Sequence, residues 1–215
     1  MNTRTRKITT IAMLVAISFV TVFLFRIPIV LFLKYDPKDV IITIGGLIWG
    51  PLTAVLASII VSLIEMFTIS DTGIIGLIMN ILASCFFACP AAMIYKKKRT
   101  LSGAVIGLIV GAIISTAIML LWNYLITPFY MGVPRSEVVK LLIPYLLPFN
   151  LLKTGLNAAF VMLLYKPIIN VLKEANLIDN TSSQEITKRS FITVFISVAV
   201  IATGILLILV WQGII

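Results

Sequence analysis

The sequence predicts an all-α integral membrane protein, on three observations. Of its 215 residues, 60% are hydrophobic and only 12% are charged, with a mean hydropathy of +1.15, whereas soluble domains are roughly half apolar and a quarter charged. Apolar runs of about 18 or more residues recur, each long enough to cross a hydrocarbon layer of roughly 30 Å as a helix rising about 1.5 Å per residue. Most charged residues fall between these runs. The lipid bilayer is therefore the solvent. A net charge of +9 would suit a nucleic-acid partner in a soluble chain. Here the cations are scattered between apolar runs and form no basic stripe interleaved with aromatics, so nucleic acid is not expected as a partner.

Taken in order, the first span covers 8–25. Arg4, Arg6 and Lys7 precede it as in a secretory signal, but the apolar run exceeds the usual length and no A-x-A site follows, so the span is expected to be retained. Ala12 and Ala16 lie four apart on one face of it, which is suited to a partner. The second span, 39–50, is short and carries Gly45 and Gly46, so it is expected to be strongly tilted or re-entrant. Gly50 and Pro51 then turn the chain directly into the third, 51–68. The fourth is 74–95, where Cys85 and Cys89 read as small apolar residues rather than a disulfide. On the fifth, 101–125, the four-residue spacing of Gly103, Gly107, Gly111 and Ser115 predicts close packing within the molecule. The sixth, 144–166, is entered through Pro144 and Pro148, which remove backbone donors and loosen the helix. Residues 174–190, with Asn180, Thr181, Ser182, Ser183 and Gln184, read as a polar linker before a span at 191–213. The reading is about seven spans of helical length, divided into a core of 1–173, the linker 174–190 and a C-terminal appendage, 191–215.

With the N-terminus cytoplasmic, the inner segments hold Arg4, Arg6, Lys7, Lys96, Lys97, Lys98, Arg99, Lys166, Lys173, Lys188 and Arg189. The outer ones hold only Arg26, Lys34, Lys38, Arg135 and Lys140. The excess of positive charge inside favours this orientation, with the C-terminus outside.

The informative residues are the polar ones at membrane depth, since a charge there costs about 2.5–3.5 kcal/mol on insertion scales. They are Glu65, Asn80, Asn123, Asn150, Lys153 and Asn157, nearly all in the outer half. Asn150, Lys153 and Asn157 follow an i, i+3, i+7 pattern that places two amides and an ammonium on one helix face. That points to an outward-opening polar pocket in an apolar shell. The alternatives are that the asparagines bond neighbouring helices and that Lys153 pairs with Glu65. Trp122, Tyr124, Phe129, Tyr130, Tyr145 and Phe149 suit either flat pocket walls or an interfacial belt. The segment from Arg26 to Lys38, with Lys34, Tyr35 and Asp36, is placed to cap the pocket, although solvation also explains its charges. Histidine is absent, as are H-E-x-x-H, G-x-S-x-G, paired carboxylates at usable spacing and G-x-x-x-x-G-K-[ST], so neither hydrolytic chemistry nor a P-loop is expected. An intramembrane enzyme built on Glu65 and Lys153, or a structural membrane partner without ligand, are the competing classes.

Ordered blocks along the chain carry a resemblance: KYDPKD at 34–39, IGGLIWGP at 44–51, GLIMNILAS at 76–84, IYKKKRTLSGAVIG at 94–107, WNYLITPFY at 122–130 and PFNLLKTGLN at 148–157. Over about residues 8–173 the chain resembles the substrate-binding S components of energy-coupling factor (ECF) vitamin transporters, of the riboflavin-binding type. The resemblance implies a six-helix S-component bundle, to which this chain adds a C-terminal transmembrane helix. It also implies capture of extracellular riboflavin as a transported ligand rather than a cofactor. Partnership with an ECF module, a transmembrane coupling protein and two ABC ATPases, follows from it too. In the family an A-x-x-x-A on the first helix contacts the coupling protein, matched by Ala12 and Ala16. Asn and Lys of the last core helix hold the flavin ring, matched by Asn150 and Lys153, with Asn123 a third contact. Asn80, Glu65, Tyr35 and Asp36 complete the expected ligand site. An S component for another vitamin remains the alternative.

Overall fold

The computed structural model describes residues 3–177 and 191–214. In chain order they form α1 (Thr3–Phe25), a hairpin of β1 (Ile27–Val30) and β2 (Leu33–Tyr35), α2 (Lys38–Trp49), α3 (Pro51–Thr68), α4 (Gly73–Lys98) and α5 (Leu101–Met131). Then follow α6 (Arg135–Leu141), a π-helical turn (Leu142–Leu146), α7 (Leu147–Glu174) and α8 (Phe191–Trp211). Residues 178–190, most of the expected linker, lie outside the described residues.

Among the described residues six helices are long and apolar enough to cross a membrane: α1, α3, α4, α5, the α6–α7 rod and α8. The expected second span is not one of them. Its 12 residues rise only about 18 Å, and every residue from Lys38 to Leu47 is buried. α2 is enclosed by α1, α3, α4 and α7, and Lys38 at its start pairs with Glu65 near the end of α3, so it runs back alongside α3 as a short crossing sheltered by protein rather than by lipid. A short helix is tolerated at this depth because protein, rather than hydrocarbon, surrounds its ends. Val40, Ile44 and Leu47 of α2 meet Phe87 and Ala91 of α4, Leu108 of α5 and Val161 of α7 in the main core. Ile42 joins Val15 of α1 and Ala54, Ala57 and Val61 of α3 in a second cluster.

Gly50 holds φ at +95° between α2 and α3, a conformation other residues rarely adopt, and Pro51 opens α3. The glycine stripe of α5 packs on α4 as expected. A Cβ on Gly107 would lie 2.9 Å from the Ala91 backbone, and one on Gly111 would overlap the Phe87 carbonyl oxygen. The Ser115 hydroxyl donates to the Ala83 carbonyl at 3.1 Å. Cys85 and Cys89 are free thiols.

Two features differ from the sequence reading. The expected loop between the first two helices is an antiparallel hairpin, pairing Ile27 with Tyr35, Pro28 with Lys34 and Val30 with Leu33; such short strands fall below the length at which alternation is legible. The sixth span starts at Arg135 rather than 144. The chain passes Pro144 by widening into the π turn, which accommodates the missing donor without ending the rod.

Candidate functional site

A cavity of about 240 Å³ opens beneath the hairpin. It is lined by Asn123, Asn150, Lys153, Asn80, Glu65 and Asp36, together with Arg26, Asp39, Asp71, Ser115, Thr127 and Thr154. Its apolar walls include Trp122, Tyr130, Phe149, Met79 and Met119. Five of the six membrane-depth residues, Glu65, Asn80, Asn123, Asn150 and Lys153, therefore converge on one space, although they come from α3, α4, α5 and α7, whereas Asn157 does not line it. Tyr124, Phe129 and Tyr145 do not line it. Tyr124 stacks under Arg135, whose guanidinium carbon is 5.1 Å from the ring centroid, and Phe129 is largely exposed.

The amides are fixed by their own helices. Asn150 Nδ2 donates to the Leu146 carbonyl at 2.7 Å and Asn123 Nδ2 to the Met119 carbonyl at 2.7 Å, while Thr127 donates to Asn123 Oδ1 at 2.9 Å. The bond from Asn150 lands in the π turn, so the irregular backbone around Pro144 also supplies an anchoring carbonyl.

Lys153 Nζ donates to Asp36 Oδ2 at 3.2 Å and lies 3.9 Å from Asp39 Oδ2. It does not pair with Glu65, which is engaged by Lys38 Nζ at 2.6 Å and by Asn80 Nδ2 at 2.9 Å. Lys38 also approaches Asp36 Oδ1 to 3.9 Å. Asp39 accepts from the Ser84 hydroxyl and from Asn157 Nδ2 at 3.4 Å, and Tyr35 Oη donates to Asn157 Oδ1 at 3.1 Å. These side chains form one continuous buried network in which Asp36, Asp39 and Glu65 face Lys38 and Lys153, consistent with the rule that buried charges survive only when paired and hydrogen-bonded. Burial pushes the Asp36 carboxyl up, but the ammoniums of Lys153 and Lys38 outweigh it and hold the group below its usual 3.8. The Tyr35 hydroxyl is raised above its usual 10.0, chiefly by burial and further by Asp36 and Asp39.

The sequence profile of the "ECF transporter, substrate-specific component" family matches residues 6–165. This chain belongs to that family. Three riboflavin transporters are similar to this S component. RibU of Staphylococcus aureus (strain TCH60) is 28% identical over 177 residues, 78% of this chain and 93% of that protein. FmnP of Bacillus subtilis (strain 168) is 28% identical over 188 residues, 81% of this chain and 99% of that one. RibU of Streptococcus thermophilus (strain ATCC BAA-250 / LMG 18311) is 29% identical over 183 residues, 79% and 86% of the two chains. A solved structure of the S component of a bacterial ECF transporter superposes with a TM-score of 0.67 at 29% identity, covering 79% of this chain and 99% of that one. The S component is thus a multi-pass membrane protein and part of a transporter, not an enzyme. The family match ends before α8.

Measured against the expected site of this S component, one residue shifts role and two are added. Tyr35 does not line the cavity; it is buried behind it, bracing Asn157. Asp36 lines the cavity and is buried, so solvation does not account for its charge. Lys38, counted among solvated outer cations from the sequence, is 1% exposed and holds Glu65. Asp39 was not singled out, yet it lines the cavity and joins α2 to α4 and α7. The available signal was the charge density of KYDPKD ahead of an apolar run. Its position at the start of a short, largely buried helix was not legible. Ala12 and Ala16 are exposed on α1, while Leu14, Val15 and Ser18 on its other face are buried.

Proposed function

We propose that this S component captures extracellular riboflavin in the cavity beneath the hairpin and releases it inward. Release would be driven by an ECF module consisting of a transmembrane coupling protein and two ABC ATPases. The observation that carries this reading is the convergence of Asn123, Asn150 and Lys153 on one cavity walled by Trp122, Tyr130 and Phe149, in a chain whose similar relatives are riboflavin transporters. The isoalloxazine is planar and largely apolar, and its pyrimidine edge presents two carbonyls around an N–H. An amide offers both a donor and an acceptor to that edge, whereas an ammonium offers donors alone. Lys153 uses one donor on Asp36 and so retains others for a ring carbonyl. Glu65 and Asn80, with Lys38 behind them, supply the acceptors and donors that a ribityl chain of hydroxyls needs. Asp36 and Asp39 pair with Lys153 and aim it.

The distribution of cations, with Lys96, Lys97, Lys98 and Arg99 at the opposite end of α4 from the cavity, supports a cytoplasmic N-terminus and an outward-opening pocket. Ala12 and Ala16 form the small, exposed face of α1 suited to close helix packing with the coupling protein. No cofactor enters this scheme; riboflavin is cargo.

Purified protein should carry flavin absorbance, and riboflavin titrated into the ligand-free form should quench as it binds. Lys153→Met and Asn150→Ala should each weaken binding by about 10-fold or more, as expected when a charged or buried hydrogen bond to a ligand is removed. Unchanged affinity in both variants would rule out this site.

A further inference from the structure

We infer that the C-terminal end of α8 holds the hairpin in place over the cavity, with Trp211 and Gln212 as its positioning residues. This rests on the reading above, in which the cavity beneath the hairpin is the ligand site. An isolated two-stranded hairpin is marginal in water, so the position of β1 and β2 is set by what they touch. On one side, β2 meets the turn between α3 and α4 through Lys34 and Asp71, 3.2 Å apart. That pair is exposed at 39% and 79%, the class of ion pair that contributes little. Arg26 adds a bond to the Ile69 carbonyl at 2.9 Å.

On the opposite side the contact is of a different kind. Ile29 and Tyr35 of the hairpin are buried in one cluster with Phe149 and Leu156 of α7, and Ile201, Ile208 and Trp211 of α8 pack against it. Just past the last helical residue, at the exposed edge of this buried cluster, Gln212 Nε2 donates to the Pro28 carbonyl at 2.8 Å. Gln212 is itself held, its backbone N–H bonding the Ile208 carbonyl at 2.9 Å. The bond falls at the irregularity between Pro28 and Val30, where regular pairing of β1 with β2 is interrupted and an outside donor has most to add. α8 reaches this spot because Gly204 lets it close onto Leu152 and Leu156 of α7; a Cβ there would come within 2.6 Å of Leu156. Most of its remaining surface is apolar and exposed, including Phe195, Ile196 and Leu206, as befits a helix against lipid. The inward contacts of α8 thus run along α7 and end on β1.

The consequence is kinetic. A hairpin fastened to α8 opens less often, which slows both arrival and departure of the ligand and changes affinity less than either rate. The core of the S component forms the cavity without α8, so this helix tunes access rather than building the site.

Hydrogen–deuterium exchange of residues 27–35 in the ligand-free, full-length protein in lipid nanodiscs tests this directly. Gln212→Ala and Trp211→Ala should each speed exchange in the hairpin by at least about threefold, the loss expected for one modest interaction, while exchange in α4 and α5 stays unchanged and reports an intact fold. Gln212→Glu, similar in shape but without the donor, should behave as the alanine variant, and Gln212→Lys, which keeps a donor, should restore slow exchange. Phe195→Ala, on the lipid face, should have no effect. Riboflavin release and uptake by the same variants should accelerate together. Unchanged hairpin exchange in the Trp211→Ala/Gln212→Ala double variant would overturn the inference. Because exchange is read without ligand, a protein that failed to bind riboflavin would refute the cavity assignment and leave this result standing.

Discussion

Replacing Lys38 with methionine, of similar length and no charge, tests the buried network most sharply. In the native protein Lys38 Nζ lies 2.6 Å from Glu65 Oε1, with side chains 1% and 2% exposed. At an effective dielectric of about 20, unit charges at that separation attract by about 6 kcal/mol, most of which offsets the desolvation of the two groups. The loss on substitution is therefore set by what remains. Among the described residues, Glu65 would be left in a buried site with Asn80 as its remaining side-chain donor, and Asp36 would lose one of its flanking cations. Breaking a buried pair in this way typically costs about 3–5 kcal/mol, which for a chain of this size lowers the unfolding temperature by roughly 6–20 °C. Lys38→Met/Glu65→Gln should recover most of that loss, since the glutamine removes the stranded charge and can still bond Asn80. Thermal unfolding of the four proteins of this cycle in one detergent supplies the measurement. A Lys38→Met protein as stable as the native one, or a double variant no better than the single, would show that the pair does not hold α2 to α3 as the structure implies.

Other expectations concern different parts of the molecule. The pairing of Asp36 with Lys153 is fully present above pH 3.8 and is lost as pH falls below it, because the folded carboxyl titrates lower than the unfolded one. The Tyr35 bond to Asn157 is fully present below pH 10.0 and is lost as pH rises further, because its hydroxyl is raised. Unfolding temperature should therefore be insensitive to these two groups between about pH 5 and about pH 9 and fall on both sides, and Asp36→Asn should blunt the acid limb. Gly111→Ala, which drives a methyl group into the Phe87 carbonyl, should cost about 1–3 kcal/mol by overpacking. Gly155→Ala, with nothing within 4 Å of its Cβ, should be neutral or slightly stabilising by helix propensity, as thermal unfolding will report. Ala12→Trp or Ala16→Trp, on the exposed face of α1, should leave riboflavin affinity intact and abolish uptake in cells that carry the ECF module.

Several features were legible in the chain alone because they depend on local physics. Apolar length marks a membrane helix wherever it falls, so α1, α3, α4, α5 and α8 were found within a few residues at most of their termini. The four-residue spacing of Gly103, Gly107 and Gly111 announced a close helix contact because a helix places those positions on one face. Ionisable and amide groups at membrane depth stand out for the same reason that they are costly there. Asn123, Asn150, Lys153, Asn80 and Glu65 are therefore conspicuous in the sequence, although it carries no sign of their proximity. The blocks of family resemblance supplied what spacing could not, the class of cargo and the partner module.

What only the tertiary structure decided is how those groups pair and what surrounds them. A sequence does not say whether Lys153 faces Glu65 or Asp36, since both are far away along the chain and the choice depends on where α2 sits. α2 reads as a short span because its residues are apolar, but burial by protein and burial by lipid leave the same composition, so only the structure shows that protein encloses it. Lys38 reads as an outer cation because it adjoins a loop, and Asp39 draws no notice at the start of a span; both are buried because α2 sits among α1, α3, α4 and α7. The contact of Gln212 with Pro28 joins opposite ends of the chain. Local propensity carries no information across that separation, and packing alone brings α8 to the hairpin.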